Sequence, residues 1–295
     1  MISILTNPGA MVALQALDAT QKNLNTTQND ISTGLKINSA KDDAATWTVA
    51  TTMKANVASL QQVSSDLGNA DSILGTAVSG ATQIASLVSE IRAQVASFTD
   101  TATNQTATQS NVTQLAAQID STVTSSSFNG VDLLDGSHAT GLTFVAATNN
   151  NYAGGGASPT ISTGNSVDLS SASANATVSA FHTLVSNLSG TITGATPAAL
   201  QTALDGALQT VDQYSSMVQA QAAQFGSVQS GVESQQTFVN NLANTFQTGA
   251  GNMVDADMTA ESAQLSALQV QQQLGTQALS IANQAPQMIL KLFGG

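Results

Sequence analysis

The chain has 295 residues, a formal charge of −12, six Lys and Arg in all, and no cysteine. Charged residues make up 8% and aromatic residues 4% of it, where ordinary globular proteins are roughly 25% charged. An acidic chain without basic clusters does not grip a phosphate backbone, so nucleic acid is not an expected partner, and the absence of thiols excludes disulfides and thiolate metal sites.

Near the amino end Ala10, Leu14, Leu17, Gln21, Leu24, Gln28, Ile31 and Leu35 recur in steps of three and four, which marks one stripe of a helix. Gly9–Leu17 is as apolar as the middle of a signal peptide, but no cation precedes Lys22. If the chain is exported, a route that needs no cleaved leader is the expectation. Next comes ISTGLKINSAKDDAA at 31–45, which places Lys36 and Lys41 beside Asp42 and Asp43 in a chain otherwise dominated by Ser, Thr, Gln and Asn.

The strongest signal begins at Leu60. Apolar residues follow at Val63, Leu67, Ala70, Leu74, Ala77, Ala81, Ile84, Val88, Ile91, Val95 and Phe98 with no polar interruption. This is a coiled-coil seam on a helix roughly 60 Å long at about 1.5 Å per residue. Residues 105–124 carry Val112, Leu115, Ile119 and Val123 on one helical face, and SSFNGVDLLDG at 126–136 reads as a hairpin. Residues 137–175 are rich in Ser, Thr, Asn and Gly and are expected as exposed turns with short strands such as Leu142–Val145. A second long seam runs Leu204, Ala207, Val211, Tyr214, Val218, Gln221, Phe225, Val228, Val232, Gln235, Val239, Leu242 and Phe246, broken only by its two glutamines.

The carboxyl end repeats the amino-terminal pattern at Ala267, Val270, Leu274, Ala278, Ile281, Ala285, Met288 and Leu292. Both terminal seams are thin. Burying a large aliphatic side chain contributes about 1.5–3 kcal/mol, and ordering costs about 1–2 kcal/mol per residue of backbone, so such seams barely hold on their own. The ends are expected to be loose in a lone chain and to order against neighbours.

Sites for chemistry are lacking. His138 and His182 stand without clustered carboxylates, and the Gly154–Gly156 run lacks the Lys-Ser/Thr of a phosphate loop. Asp255 and Asp257 precede the last helix, where negative groups suit the positive end of the helix dipole. No enzyme, no cofactor and no metal are expected. No run of about 18 apolar residues exists to span a membrane, and the polar faces lack the Lys and Arg of a lipid-surface helix.

The fold class that follows is mainly α: an elongated antiparallel helical bundle or coiled coil formed by paired amino- and carboxyl-terminal segments, with a small β-hairpin and loop region mid-chain. The expected division is 1–42 with 253–295 as a terminal coiled-coil domain, 43–136 with 176–252 as a long-helix bundle with the hairpin, and 137–175 as a short, variable, surface-exposed segment. The long-helix core is expected at Leu60, Leu67, Leu74, Ile84, Ile91, Val211, Val218, Phe225, Val232 and Leu242.

The stretch ISTGLKINSAKDDAA resembles the amino-terminal signature of bacterial flagellins, S-[ST]-G-[LK]-[RK]-I-N-S-A-[KA]-D-D-A-A. Residues 253–293, MVDADMTAESAQLSALQVQQQLGTQALSIANQAPQMILKLF, are similar to the family's carboxyl-terminal signature, and SSFNGVDLLDG is similar to its hairpin motif. The resemblance implies an extracellular, self-assembling filament subunit for motility. It also implies export through the flagellar type III apparatus, with an export chaperone, a filament cap and hook–filament junction proteins as partners. Leu14, Leu17, Leu24, Ile31, Leu35, Val270, Leu274, Ile281, Met288 and Leu292 would then pack between subunits at the filament core. Lys36, Lys41, Asp42 and Asp43 would fix register between subunits, a role in which opposite charges add specificity more than stability.

Two alternatives differ at named positions. The hook–filament junction protein carries prolines around its Asp pair, where Ala40 and Ala44 stand here. A surface adhesin or glycan-binding module would need a platform in 137–175, whose one candidate is Tyr152. Two further positions depart from the flagellin pattern. Trp47 stands where small or aliphatic residues are usual, and Ser89–Gln94 keeps Arg92 but replaces other residues of the run read by the vertebrate innate receptor.

Overall fold

The computed structural model describes residues 7–98, 102–147, 158–192 and 196–293. In chain order its helices are α1 (Pro8–Thr33), α2 (Ala44–Ala96), α3 (Ala102–Ser125), α4 (Ala176–Ser186), α5 (Leu188–Thr191), α6 (Pro197–Val254) and α7 (Met258–Phe293). Its strands are β1 (Ser127–Phe128), β2 (Val131–Asp132), β3 (Thr143–Val145) and β4 (Thr160–Ser162). The protein is mainly helical, with long helices from the two halves of the chain packed together and small hairpins between them in sequence. Contacts divide it into two compact units: Met1–Val57 with Asn244–Gly295, and Ala58–Ala243.

In the terminal unit, α1 begins where the Asn7 side chain accepts a hydrogen bond from the Ala10 amide at 3.2 Å. Pro8 follows at a position where its missing N–H leaves no helical bond unmade. The helix stops at Gly34, whose φ of 71° lies in the left-handed region and whose amide donates to the Asp30 carbonyl at 2.8 Å. A residue with a Cβ would be strained there. The chain then runs alongside the end of α6. Leu35 and Asp255 form an antiparallel bridge, the Lys36 amide donates to the Val254 carbonyl at 2.7 Å, and the Ala256 amide donates to the Gly34 carbonyl at 2.9 Å.

The central unit is built on the two long seams. Every residue of the Leu60–Phe98 ladder is buried, and Leu67, Leu74, Ile84 and Ile91 have no exposed surface. From α6, Val211, Tyr214, Val218, Phe225, Val232 and Val239 are fully buried. Polar bonds flank the apolar seam at heptad spacing. Gln236 Nε2 donates to the Ser64 carbonyl at 3.1 Å, and seven residues away on each helix Gln229 Nε2 donates to Asp71 Oδ1 at 2.9 Å. Side chains seven apart return to one side of a helix in a coiled coil, so glutamines at this spacing both reach the facing helix.

Leu242 differs from its expected core position. It is half-buried, and Ala243 is buried beside it. A straight helix drifts relative to a strict heptad, so over many turns the buried stripe moves to a neighbouring position.

The hairpin forms between β1 and β2, with Phe128 opposite Val131. Its two-residue turn is Asn129–Gly130, both at positive φ, the backbone that a tight hairpin requires. Gly80 of α2 lies where an added Cβ would collide with the Ser126 hydroxyl and the Leu134 side chain. Only a glycine lets the hairpin region sit so close to this helix.

The segment 137–175, expected as an exposed loop, is held against α6 in much of its described part. Gln235, Gln224 and Gln221 donate side-chain amide hydrogens to the carbonyls of Ala146, Thr163 and Asn165, and Ala146, Thr163 and Leu169 are buried. Polar composition signalled exposure, whereas the backbone carbonyls of this segment find donors on the helix. Tyr152 lies outside the described residues. One element goes beyond the sequence reading: α4 buries Val178, Phe181, Leu184 and Val185, and Phe181 stacks on Tyr214 at 4.1 Å between ring centroids. The Tyr214 hydroxyl donates to the Leu169 carbonyl at 2.8 Å, and burial pushes its pKa well above the ordinary phenol value.

Candidate functional site: the terminal helix pair and its charged turn

The pairing of α1 with α7 is antiparallel. Asn7 Nδ2 donates to the Ala282 carbonyl at 2.7 Å, and Gln272 Nε2 donates to Gln21 Oε1 at 2.6 Å. Between them Gly275 lies against Leu17, close enough that a Cβ would stand 3.2 Å from the Leu17 Cδ1. On α1, Leu24 is buried, whereas Leu17 and Ile31 are half-buried and Leu14 is exposed together with Met11 and Val12; Leu35, beyond the helix, is half-buried.

The less exposed stripe of α7 consists of Glu261, Leu265, Leu268, Gln272, Gly275, Leu279 and Ala282. It is not the ladder of Val270, Leu274 and Ile281, which is 54%, 58% and 68% exposed. The sequence offers two heptad stripes on this helix, and the purely apolar one stands out. The stripe nearer α1 includes a glutamine and a glycine. These serve close approach and one side-chain hydrogen bond, so they weaken the periodic signal while strengthening the fit. The side chains of Met288 and Leu292 lie outside the described residues.

In the charged turn, Asp42 Oδ2 accepts from the Asn38 and Ser39 amides at 3.2 and 3.0 Å and from the Ser39 hydroxyl at 3.0 Å. Asp43 heads α2. Its Oδ1 accepts from the Ala45 and Thr46 amides at 3.0 and 3.1 Å, and its Oδ2 accepts from the Thr46 hydroxyl at 2.7 Å. These bonds hold both carboxyl groups below the usual carboxylate range, the Ser39 side chain acting most on Asp42 and the Thr46 side chain most on Asp43. The Asp pair therefore has a local structural task, shaping the turn and capping a helix. Lys36 and Lys41 are exposed and take part in no ion pair; among the described residues the ion pair is Arg92–Asp212, at 2.6 Å. Asp257 caps α7 in the same manner through the Thr259 amide at 2.9 Å, while Asp255 uses its backbone to bridge Leu35.

The two histidines hold structural positions. His138 Nδ1 lies 3.0 Å from the Asp132 carbonyl, and His182 packs edge-on to Phe181 and Tyr214. Burial raises the pKa of Asp132. Among the described residues no group of three His, Cys, Asp or Glu could hold a metal ion, and no helix is long and apolar enough to cross a membrane.

Paired chain ends, two long interlocked helices and a docked NG-turn hairpin are also where similarity to known proteins lies. Residues 4–139 match the bacterial flagellin N-terminal helical region, and residues 208–293 match the bacterial flagellin C-terminal helical region. The chain belongs to the bacterial flagellin family. It is 38% identical to a flagellin of Brucella melitensis biotype 1, over 100% of both chains. It is also 38% identical to flagellin FljK of Caulobacter vibrioides, over 99% of this chain and 98% of the relative. Flagellin C of Rhizobium meliloti is 35% identical over 99% of each chain.

As a flagellin, the chain is the extracellular subunit of the flagellar filament and serves motility by assembling with copies of itself. Its role is structural, not enzymatic. Most of the polar bonds described above accordingly hold helices and turns in place.

Proposed function

We propose that α1 and α7 each carry two apolar stripes, one closing the pair within the subunit and the other covered by neighbouring copies in the filament. The observation that supports this is the exposure of Met11 and Leu14 on α1 and of Val270, Leu274 and Ile281 on α7. Positions 270, 274 and 281 return to one side of the helix, so they form a line rather than scattered apolar residues. A contiguous apolar line on a soluble chain marks an interaction surface, and self-assembly provides a partner of matching chemistry.

In this reading Leu17, Leu24, Ile31 and Leu35 serve mainly the internal closure. Leu14, Val270, Leu274 and Ile281 serve packing between subunits, with Met288 and Leu292 continuing the same ladder in sequence. Residues 1–42 and 253–295 form the filament core, 43–136 with 176–252 the shell around it, and 137–175 the outward segment. Lys36 and Lys41, free of ion pairs among the described residues, supply the register charges toward a neighbour, while Asp42 and Asp43 fix the turn that presents them. Family membership further supports export by the flagellar type III apparatus and encounters with an export chaperone, the hook–filament junction and the filament cap.

Leu274→Asp and Ile281→Asp test the reading. Both substitutions are on the exposed stripe, so circular dichroism of the monomer is expected to stay unchanged. Seeded elongation, followed by sedimentation and electron microscopy, is expected to fall to background. Filament yield equal to that of the unsubstituted chain would overturn the assignment.

A further inference from the structure

The tip of the hairpin, Asn129–Gly130, is the one place in the chain where glycine follows asparagine. Both residues are exposed. Among the described residues the Asn129 side chain makes no hydrogen bond, and the Gly130 amide donates to no backbone carbonyl. Open space surrounds the point that a Cβ on Gly130 would occupy. An unbonded backbone nitrogen, unshielded by a Cβ, thus stands next to an unrestrained side-chain amide. A nucleophile tethered beside its target avoids the entropy cost of finding it.

Two Asp-Gly pairs show the same kind of sequence under restraint. In Asp135–Gly136, Asp135 Oδ1 accepts from the Ser137 amide at 2.8 Å. Gly136 is crowded as well, since a Cβ there would collide with Asp168. Asp205–Gly206 lies inside α6, where the helix fixes the backbone. The three pairs look alike in sequence, and the hairpin tip is the one left free to react.

We propose that Asn129 is a site of spontaneous, irreversible modification by water, in which its side-chain amide is lost and the hairpin turn is loosened. The Gly130 nitrogen gives its proton to hydroxide and bonds to Asn129 Cγ. The Cγ–Nδ2 bond then breaks and ammonia leaves, which closes a five-membered imide. One water opens that ring. Cleavage of the new Cγ–N bond gives an aspartyl residue, and cleavage of the original backbone C–N bond gives an isoaspartyl residue with the chain continued through Cγ. The net change is one water consumed and one ammonia released, without oxidant or cofactor.

The isoaspartyl product adds one carbon to the main chain inside a two-residue turn. Such a turn depends on positive φ at both central residues, and Asn129 and Gly130 have 53° and 80°. The strands beside it are two residues each, and a short isolated hairpin is marginal without a fitting turn. Ser126 and Leu134, outside the strands, pack against α2 at Gly80. The loosening is therefore expected at 127–132, with the long helices unaffected.

Timed incubation of the full-length chain in mildly alkaline and mildly acid buffer tests this. No Lys or Arg lies between Arg92 and Lys291, so the products are mapped by mass spectrometry of chymotryptic or peptic peptides. The peptide that contains Asn129 is expected to gain the mass difference between an amide and an acid severalfold faster than peptides with other asparagines, and faster in alkali. Asn129→Gly removes the reacting amide and keeps a residue that accepts positive φ, so the gain is expected to vanish from that peptide. Hydrogen exchange at 127–132 is expected to lose protection in the aged original chain and not in the aged variant, with α2 and α6 equally protected in both. Equal rates at all asparagines, or the same mass gain in the variant, would overturn the site. Unchanged exchange at 127–132 after modification would overturn the loosening.

Discussion

The terminal unit and the central unit are built from similar helices by opposite rules. In the central unit the seam is dry. Leu67, Leu74, Ile84 and Ile91 of α2 and Val211, Val218, Phe225 and Val232 of α6 have no exposed surface, and its one cation, Arg92, is engaged with Asp212. In the terminal unit Leu24 and Leu268 are the buried leucines among the described residues, and Leu14, Leu274 and Ile281 face outward. Lys22, Lys36, Lys41, Lys54 and Lys291, all the chain's cations but one, belong to that unit. The central unit buries its apolar seam, and the terminal unit leaves apolar side chains and cations exposed. A self-assembling subunit needs both, because a rigid block positions the contact and an unfinished surface provides it.

The largest effect expected from testing this contrast is in the central unit. Phe225→Ala removes a fully buried aromatic side chain from the seam and should cost about 3–5 kcal/mol. Chemical denaturation of the monomer would measure it. A change of a few tenths of a kcal/mol would show that the seam is not a packed core.

A cut of the same kind in the terminal unit sharpens the difference. Leu24→Ala should leave the main unfolding transition in place while lowering exchange protection in α1 and α7. If the main transition moved as far as for Phe225→Ala, the two units would not differ in self-sufficiency.

The smallest effect is expected at the turn. Asp43→Ala removes the cap of α2 and should lower the thermal midpoint slightly at neutral pH. The folded-state carboxyl of Asp43 lies below its unfolded value, so its contribution is complete above the unfolded value and fades as pH falls through the folded one. The difference between variant and parent should therefore shrink in acid.

Much of this was legible in the sequence. The Leu60–Phe98 ladder is uninterrupted, and all of it is buried. Gly-terminated turns around a short apolar run at 126–136 marked the hairpin, and Asn129 and Gly130 have the positive φ of its tight turn. The α7 stripe facing α1 was hidden because Gln272 and Gly275 break its apolar rhythm, although a glycine under Leu17 and a glutamine bonded to Gln21 make the contact close. The clasp of α6 glutamines on residues 146–165 was hidden for a related reason, since composition records polarity and not which carbonyl a polar group meets.

By itself the sequence determined that this chain is helical and that its long seams are apolar enough to pair. These are properties of periodicity and composition, which are local. Only the tertiary structure decided which of two stripes on α7 turns inward and that Asp42 and Asp43 serve their own turn and helix. The choice of stripe depends on register between segments more than 200 residues apart, and register is set by shape and hydrogen bonding at the contact rather than by the pattern of either segment alone.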